Sequence, residues 1–195
     1  MISVRLREIT KCTDEQKKSV REVRNQESVR KSMYTEHEIP LDEHLAWLER
    51  LKSDKGQIVF VVLVDNEVSG VASINEIDKL HLKSDWAYYL DENFRGGLGA
   101  ALEFNLINFV FDELGLEKLN CEVIETNDAV VRLHKKFSFT EEGFRRKNII
   151  KNNKRIGVYF LGLTKSDWLR DRGEIKSRYD KIMDKFDLAI EYETS

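Results

Sequence analysis

The sequence predicts an α+β fold, in which a mixed and mostly antiparallel sheet is flanked by helices in three layers. Short apolar segments with the spacing of strands recur from residue 2 to residue 163. A glycine-dense turn joins one of these strands to the most clearly helical stretch of the chain. With 195 residues, of which 41% are hydrophobic, the chain is long enough to bury a core without disulfides.

The N-terminal part predicts one strand followed by three helices. Residues 2–9 alternate between apolar and polar side chains, as a half-buried strand does. Thr13 and Gln16 form a capping-box pattern that opens a helix running to about Arg24. The next helices are predicted at 27–33 and after Pro40, the latter with Leu41, Leu45 and Leu48 on its apolar face and Trp47 alongside.

The rest of the chain alternates between strands and helices. A turn at 65–67 and the pair Asn152-Asn153 predict hairpins, and Gly115 is placed to end a helix. Strands are expected at 57–64, 68–76, 83–90, 118–124, 139–150 and 154–163, and helices at 100–114 and 129–136.

Composition excludes several classes of protein. The net charge of −3 argues against nucleic-acid binding. The longest apolar run, 58–64, is too short to cross a membrane. Two distant cysteines, Cys12 and Cys121, and no signal-peptide pattern indicate a reduced, cytoplasmic protein. The histidines His37 and His44 lack the spacing of a metal site, so no metal is expected.

The glycine-dense turn spans residues 95–99, Arg-Gly-Gly-Leu-Gly, between a strand and a helix. Glycines there let an anion approach backbone N–H groups at the positive end of the helix dipole. A dinucleotide fingerprint would need a third glycine, and a P-loop would end in Gly-Lys-Ser/Thr; neither is present. Ordinary tight turns use the same residues, so two interpretations stay open from this stretch alone: a tight turn, or a pyrophosphate-binding loop of another type, which is the working hypothesis.

This loop resembles the acetyl-CoA loop R/Q-x-x-G-x-G/A of the GNAT acetyltransferases. Counting back from Gly97 and Gly99, the first motif position falls on Phe94, and the loop is one residue shorter than usual. Residues 127–139, NDAVVRLHKKFSF, resemble a second GNAT segment, N-x-x-A-x-x-x-Y-x-K-x-G-F. Three positions of that segment depart from the motif, namely Val130, His134 and Ser138.

The resemblance implies a GNAT fold, acetyl-CoA as cofactor, and acetyl transfer to an amine. In the family, the tyrosine of the second segment helps to return a proton to the CoA thiolate; here His134 occupies its position, and an imidazole can do this at neutral pH. The cofactor-binding residues implied are Tyr88, Tyr89, Leu90, Arg95, Gly96, Gly97, Leu98, Gly99, Ala100 and Asn127.

Segments from residue 24 to residue 47, with 86–101 and 119–125, resemble more specifically the acetyltransferases of the pseudaminic acid pathway. Those enzymes acetylate the 4-amino group of a UDP-linked 4-amino-4,6-dideoxy-N-acetyl-altrosamine. Arginines could pair with the phosphates of such a substrate, and aromatic rings could stack on its base or close over its sugar. The residues expected to bind substrate are Arg24, Arg30, Tyr34, His44 and Trp47.

Direct attack by the amine needs no nucleophilic side chain. Cys121 and Glu122 are neighbours on a strand and must face opposite sides of the sheet. We assign Glu122 to the cleft, as the group that accepts the amine's proton, either directly or through a water.

Residues 1–168 are expected to form the acetyltransferase domain, and 169–195 an amphipathic helical extension. The extension carries apolar residues at helical spacing, from Ile175 to Phe186, and is expected to dock on its own domain or to form a homodimer. Two alternatives stay open: acetylation of a protein N-terminus or a polyamine, and a non-catalytic CoA-binding interaction module.

Overall fold

The computed structural model describes residues 1–94 and 97–193, which form eight strands and six helices. The strands are β1 (Ile2–Glu8), β2 (Ile58–Val64), β3 (Glu67–Asp78), β4 (Lys83–Leu90), β5 (Lys118–Ile124), β6 (Thr140–Lys151), β7 (Lys154–Thr164) and β8 (Phe186–Glu191). The helices are α1 (Asp14–Asn25), α2 (Glu27–Arg30), α3 (Leu41–Leu51), α4 (Leu98–Asn108), α5 (Asp128–Lys136) and α6 (Lys165–Met183).

All eight strands belong to one sheet, in the order β6-β7-β5-β4-β3-β2-β1-β8. Two pairs are parallel, β4 with β5 and β1 with β8, and the others are antiparallel. The β4–β5 pairing covers only residues 83–85 and 118–120. Beyond that point the two central strands diverge, so the sheet is split in the middle.

Each face of the sheet buries a separate apolar cluster, which gives three layers. The larger cluster lies under α4, α5 and α6 and includes Phe60, Trp86 and Cys121. The smaller cluster lies on the opposite face and includes Val20 of α1 and Val61 of β2. We call the first the cofactor face and the second the acceptor face. The expected three-layer α+β architecture is confirmed.

Most elements lie within a few residues of their predicted positions. The capping box at the start of α1 is present: Thr13 Oγ1 accepts from the N–H of Gln16, and the Gln16 side chain accepts from the N–H of Thr13. Asn152 and Asn153 both have positive φ, at 48° and 58°, as the predicted two-residue hairpin turn requires. Gly115 ends the helical segment with φ of 66°.

Three predictions need correction. Leu41 and Leu45 of α3 are 53% and 54% exposed, and the buried residues of this helix are His44 and Leu51. The long helix predicted to end at 114 is regular only to Asn108, after which residues 109–113 form a wider π-helical turn. The C-terminal extension is not helical throughout, because β8 follows α6 and pairs with β1. Alternating Phe186, Leu188 and Ile190 pack against the cofactor-face cluster, which favours a strand.

Candidate active site

The site is organised around the split between β4 and β5. From Trp86 to Leu90, β4 pairs with β3 along one edge and, within the described residues, has no ladder partner in β5 along the other. Backbone groups on that edge are therefore available to a ligand, since strand N–H and C=O groups require partners. Tyr88 and Leu90 pack on the cofactor-face cluster and Tyr89 on the other, as the alternation of a strand requires.

The N-terminus of α4 lies on the cofactor face. Gly97 is its N-cap residue, with φ of +96°, in the left-handed region that favours glycine, and no side chain of the described residues caps the helix there. Leu98 and Ala100 are buried in the core, so the helix offers backbone N–H groups rather than side chains. A Cβ on Gly99 would lie 3.4 Å from the Tyr88 hydroxyl.

These features fit a phosphate-bearing cofactor, because a helix N-terminus without a cap combines free N–H donors with the positive end of the dipole. Two expected cofactor residues, Arg95 and Gly96, lie outside the described part of the chain. Asn127 is the N-cap residue of α5, and its own side chain makes no capping hydrogen bond.

His134 of α5 lies beneath the split strand, on the cofactor face. It is 4% exposed, and its Nδ1 lies 2.7 Å from Oε1 of Glu103, a fully buried residue of α4. The Tyr88 hydroxyl donates to the other Glu103 oxygen at 3.4 Å. The aromatic rings of Trp86 and Phe139 pack on the imidazole at centroid distances of 5.3 and 5.2 Å.

Burial by itself lowers the pKa of His134, but the charge of Glu103 and hydrogen bonds to Cys121 and Glu103 outweigh it. Together they raise the pKa to about 10. The imidazole is thus held as a cation at neutral pH, because an opposite charge in a low-dielectric interior strongly favours the charged form. A buried cation beside a carboxylate can release and recover a proton without leaving its position.

Glu122 projects from β5 on the acceptor face, where its carboxylate accepts a hydrogen bond from the hydroxyl of Tyr34. The loop that carries Tyr34 is held from β6 by Lys151, whose Nζ donates to the carbonyl groups of Arg30 and Met33. Tyr34 remains 42% exposed, so the pair is open to solvent on this face. The structure thus brings together two residues that the sequence assigned to different roles.

A cavity of about 300 Å³ opens on the acceptor face between α1, α3 and the central strands. Three of the expected substrate residues line it, Arg24, His44 and Trp47, together with Tyr89 of β4. The His44 ring packs on Trp47 at 5.5 Å, and its Nε2 lies 2.8 Å from the Lys17 carbonyl oxygen. Burial lowers the pKa of His44, so its imidazole is neutral at neutral pH.

Two further arginines, Arg21 and Arg50, line the same cavity. No described carboxylate lies within 4.0 Å of the guanidinium groups of Arg21, Arg24 or Arg50. Nε of Arg21 and Nη1 of Arg24 are buried and have no hydrogen-bond partner among the described residues. Burial also lowers the pKa of Arg24, which indicates a desolvated charge that an anion would stabilise.

Arg30, also expected to bind substrate, has other partners. Its Nε donates to the Asn25 carbonyl at 3.0 Å, its Nη1 donates to the Glu36 carbonyl at 2.8 Å, and Nη2 lies 3.5 Å from Glu38. The guanidinium therefore holds the loop between α2 and α3, and Arg30 is not among the residues that line the cavity.

Sequence reasoning missed Glu103, Arg21 and Arg50. For Glu103 a signal existed, because it is the one charged residue between Leu98 and Phe111, a helical stretch whose other polar side chains are those of Asn105 and Asn108. A carboxylate at such a position is rarely buried without a partner. Arg21 and Arg50 carry no comparable signal, since arginines on amphipathic helices are usually solvated.

Comparison with known proteins agrees with this geometry. A model of the acetyltransferase (GNAT) domain matches residues 9–158. The acetyltransferase PseH of Campylobacter jejuni is 24% identical over 137 residues, which cover 70% of this chain and 85% of that protein. An uncharacterised, prophage-derived N-acetyltransferase of Bacillus subtilis, YokL, is 28% identical over 131 residues, 65% of this chain and 72% of that protein.

Among solved structures, spermidine N-acetyltransferase of Vibrio cholerae, determined with CoA and spermine, superposes with a TM-score of 0.77. The two share 20% identity, over 85% of this chain and 98% of that one, which shows a common fold. The split sheet, the helix α4 with Gly97 at its N-cap, and the family match together define a transferase that uses an acyl-CoA. The chain belongs to the GNAT acetyltransferase family, and acetyl-CoA is its cofactor.

The helices that the structure describes include none with both the length and the hydrophobicity to span a membrane.

Proposed function

We propose that this enzyme acetylates the amino group of a nucleotide-linked amino sugar, of the UDP-4-amino-sugar type used in the pseudaminic acid pathway. The observation that carries this proposal is the acceptor-face cavity, with three arginines whose guanidinium groups lack carboxylate partners among the described residues. A diphosphate would satisfy the buried donors of Arg21 and Arg24. Trp47 and Tyr89 offer aromatic surface for a base or a sugar ring.

The similarity to PseH supports the same acceptor class, at 24% identity. The similarity to spermidine acetyltransferases supports a polyamine acceptor instead. The positive charge of the cavity favours a sugar nucleotide over a polyamine, because Arg21, Arg24 and Arg50 would repel a polycation. Among the described residues that line the cavity, Glu43 is the one acidic residue, and its carboxylate lies 3.1 Å from Nε2 of His37.

Acid and base roles follow from the two faces of the split. Bound acetyl-CoA supplies the acetyl group as a thioester. Glu122, on the acceptor face, accepts the proton that the attacking amine loses, with Tyr34 holding its carboxylate. His134, on the cofactor face, donates a proton to the departing sulfur.

Glu103 makes His134 suited to this task. A tyrosine, the family residue at this position, has an ordinary pKa near 10, and the buried Glu103 raises the pKa of His134 to about 10 as well. We infer that the ion pair gives an imidazole the acidity of a tyrosine, so that it is fully protonated at neutral pH before each turnover.

The substrate class is tested by following CoA release from acetyl-CoA with UDP-4-amino-sugars, spermidine and a short peptide as acceptors. We expect fast release with a UDP-4-amino-sugar only. Release with spermidine or peptide instead would reject the sugar acceptor and leave the acetyltransferase assignment in place.

A matched pair of variants tests the cavity. Arg24→Ala should raise KM for the sugar nucleotide by roughly tenfold or more, because a charge-assisted hydrogen bond is lost. Lys52→Ala removes a nearby exposed cation, paired with Glu49, and should leave that KM unchanged. Equal effects of the two substitutions would mean that only general charge matters.

A further inference from the structure

The C-terminal segment, residues 165–193, follows the part of the chain that matches the family, yet it packs on the elements that form the cofactor site. Thr164 caps α6 by accepting from the N–H of Asp167 at 3.1 Å. In its first turn, Trp168 is fully buried, donates from Nε1 to Asn108 at 2.8 Å, and contacts the Phe104 ring at 5.3 Å. The helix is thereby anchored along α4.

The other end of α6 reaches the residue that begins α4. A Cβ placed on Gly97 would lie only 2.6 Å from Cγ2 of Ile182, closer than side-chain carbons approach each other. Two independent reasons therefore favour glycine at position 97: its φ of +96°, and the lack of space for a Cβ beside Ile182. Ile182 packs directly on the backbone whose N–H groups lie at the helix N-terminus.

α6 also contacts the C-terminal end of α5, the helix that carries His134. The Tyr179 ring stacks on Phe137 at 5.1 Å, with an interplanar angle of 24°. Asp171 Oδ2 accepts a hydrogen bond from the Ser138 hydroxyl at 2.8 Å. Ser138 stands where the family motif has glycine, and its φ is +66°, a conformation that disfavours any residue other than glycine.

The serine that replaces the motif's glycine at position 138 thus forms a hydrogen bond with a residue of α6. A serine in the left-handed conformation is strained, and its hydroxyl gains a charge-assisted hydrogen bond that a glycine could not make. The contact ties the end of α5 to the C-terminal segment.

We propose that α6 supports the acetyl-CoA site. Ile182 and Tyr179 act as positioning residues that fix the start of α4 relative to the end of α5. Free N–H donors bind an anion well when they are already held in place, because little conformational entropy is then lost on binding. Acetyl-CoA affinity should therefore depend on side chains of α6 that lie outside the family domain.

The test uses the full-length protein and isothermal titration calorimetry with acetyl-CoA. Ile182→Ala should weaken acetyl-CoA binding by about tenfold, as expected when most of a branched aliphatic side chain is removed from a packed contact. Ile182→Val, which keeps the β-branch, should weaken it much less. Lys176→Ala, an exposed change on the same helix, should have no effect.

Adenosine 3′-phosphate 5′-diphosphate, the nucleotide half of CoA, distinguishes positioning of the phosphate site from general loosening. Its affinity should fall in parallel with that of acetyl-CoA in Ile182→Ala, at a temperature where circular dichroism shows every variant fully folded. An acetyl-CoA affinity within twofold of wild type would overturn the proposal. So would a loss for acetyl-CoA that the nucleotide does not share, or an equal loss in Lys176→Ala.

Discussion

At the scale of single residues, the Glu103–His134 pair joins two buried ionisable groups from different helices. Both side chains are buried, and their separation of 2.7 Å is that of a charge-assisted hydrogen bond. Breaking a buried pair by removing one partner is costly because the remaining charge is left without compensation. His134 occupies the position at which the family motif has its proton donor, which favours a chemical role for the pair.

Glu103→Gln should lower the pKa of His134 from about 10 toward the ordinary value near 6.5, because the charge of Glu103 no longer opposes the effect of burial. The measurement is a pH titration of the imidazole resonances by NMR. A His134 pKa that stays high in this variant would mean that Glu103 is not its cause.

The same pair predicts a pH dependence of stability. The pKa of His134 is raised in the folded state, so its contribution is complete below the unfolded pKa of about 6.5 and is lost as pH rises through about 10. The difference in unfolding free energy between wild type and Glu103→Gln should therefore shrink over that interval. Urea denaturation at closely spaced pH values measures it; a constant difference would contradict the assignment.

Glu122 gives a second prediction at this scale. If it accepts the amine's proton, Glu122→Gln should lower kcat by about 10²- to 10⁴-fold, the usual contribution of a general base. Acetyl-CoA affinity should not change, because Glu122 lies on the acceptor face. Glu125→Gln, on the turn after the same strand, is the matched control. A kcat within a few-fold of wild type would remove Glu122 from the mechanism.

At the scale of elements, α3 buries the face that carries His44 and Leu51 and leaves the face that carries Leu41 and Leu45 exposed. Leu41 and Leu45 are exposed, whereas His44 is buried. Its Nε2 lies 2.8 Å from the Lys17 carbonyl oxygen, so its polar atom has a partner. Trp47 and Leu48 then pack against the acceptor-face cluster. This orientation also places His44 and Trp47 in the cavity wall.

Two leucines of α3 should therefore respond differently to truncation. Leu51→Ala should cost about 2 to 3 kcal/mol, in the lower part of the range for buried leucines. Leu45→Ala should change stability by no more than about 0.5 kcal/mol, as exposed positions usually do. Urea denaturation curves of the two variants check this, and equal costs would contradict the observed orientation of α3.

At the scale of the whole molecule, residues 186–192 contact both the first strand and aromatic residues from the middle of the chain. β8 pairs in parallel with β1, and the Tyr192 ring contacts Phe60 and Phe109 edge-on, at 6.1 and 5.3 Å. Arg5 and Arg7 of β1 form ion pairs with Asp187 and Glu191 at 2.7 and 2.6 Å. The C-terminal segment thus packs on the elements that precede it.

Tyr192→Ala should therefore destabilise the protein by about 2 kcal/mol, at the lower end for an aromatic residue because Tyr192 is only partly buried. Glu193→Ala, at an adjacent position whose side chain is 90% exposed, is the control and should have little effect. Thermal unfolding of both variants provides the measurement. An unchanged midpoint for Tyr192→Ala would show that the segment contributes nothing to stability.

The sequence by itself determined the order of elements as far as β7, the helix α4 that begins at a glycine turn, and the second signature on α5. These are local patterns: apolar periodicity, glycine placement and capping depend on residues a few positions apart, so they can be read without knowing the fold. The cofactor and the family follow from them. The same reasoning was wrong for the buried face of α3 and for β8, whose alternating apolar residues have the period of a strand although the segment was predicted to be helical.

Only the tertiary structure decided which distant side chains meet. Glu103 and His134 come from different helices, the arginines of the cavity come from α1 and α3, and Ile182 meets Gly97 from beyond the family domain. No spacing rule links such residues, because their proximity results from packing helices on a split sheet. The chemistry of this site lies in those contacts, since burial and opposite charge set proton affinity only once the chain has folded.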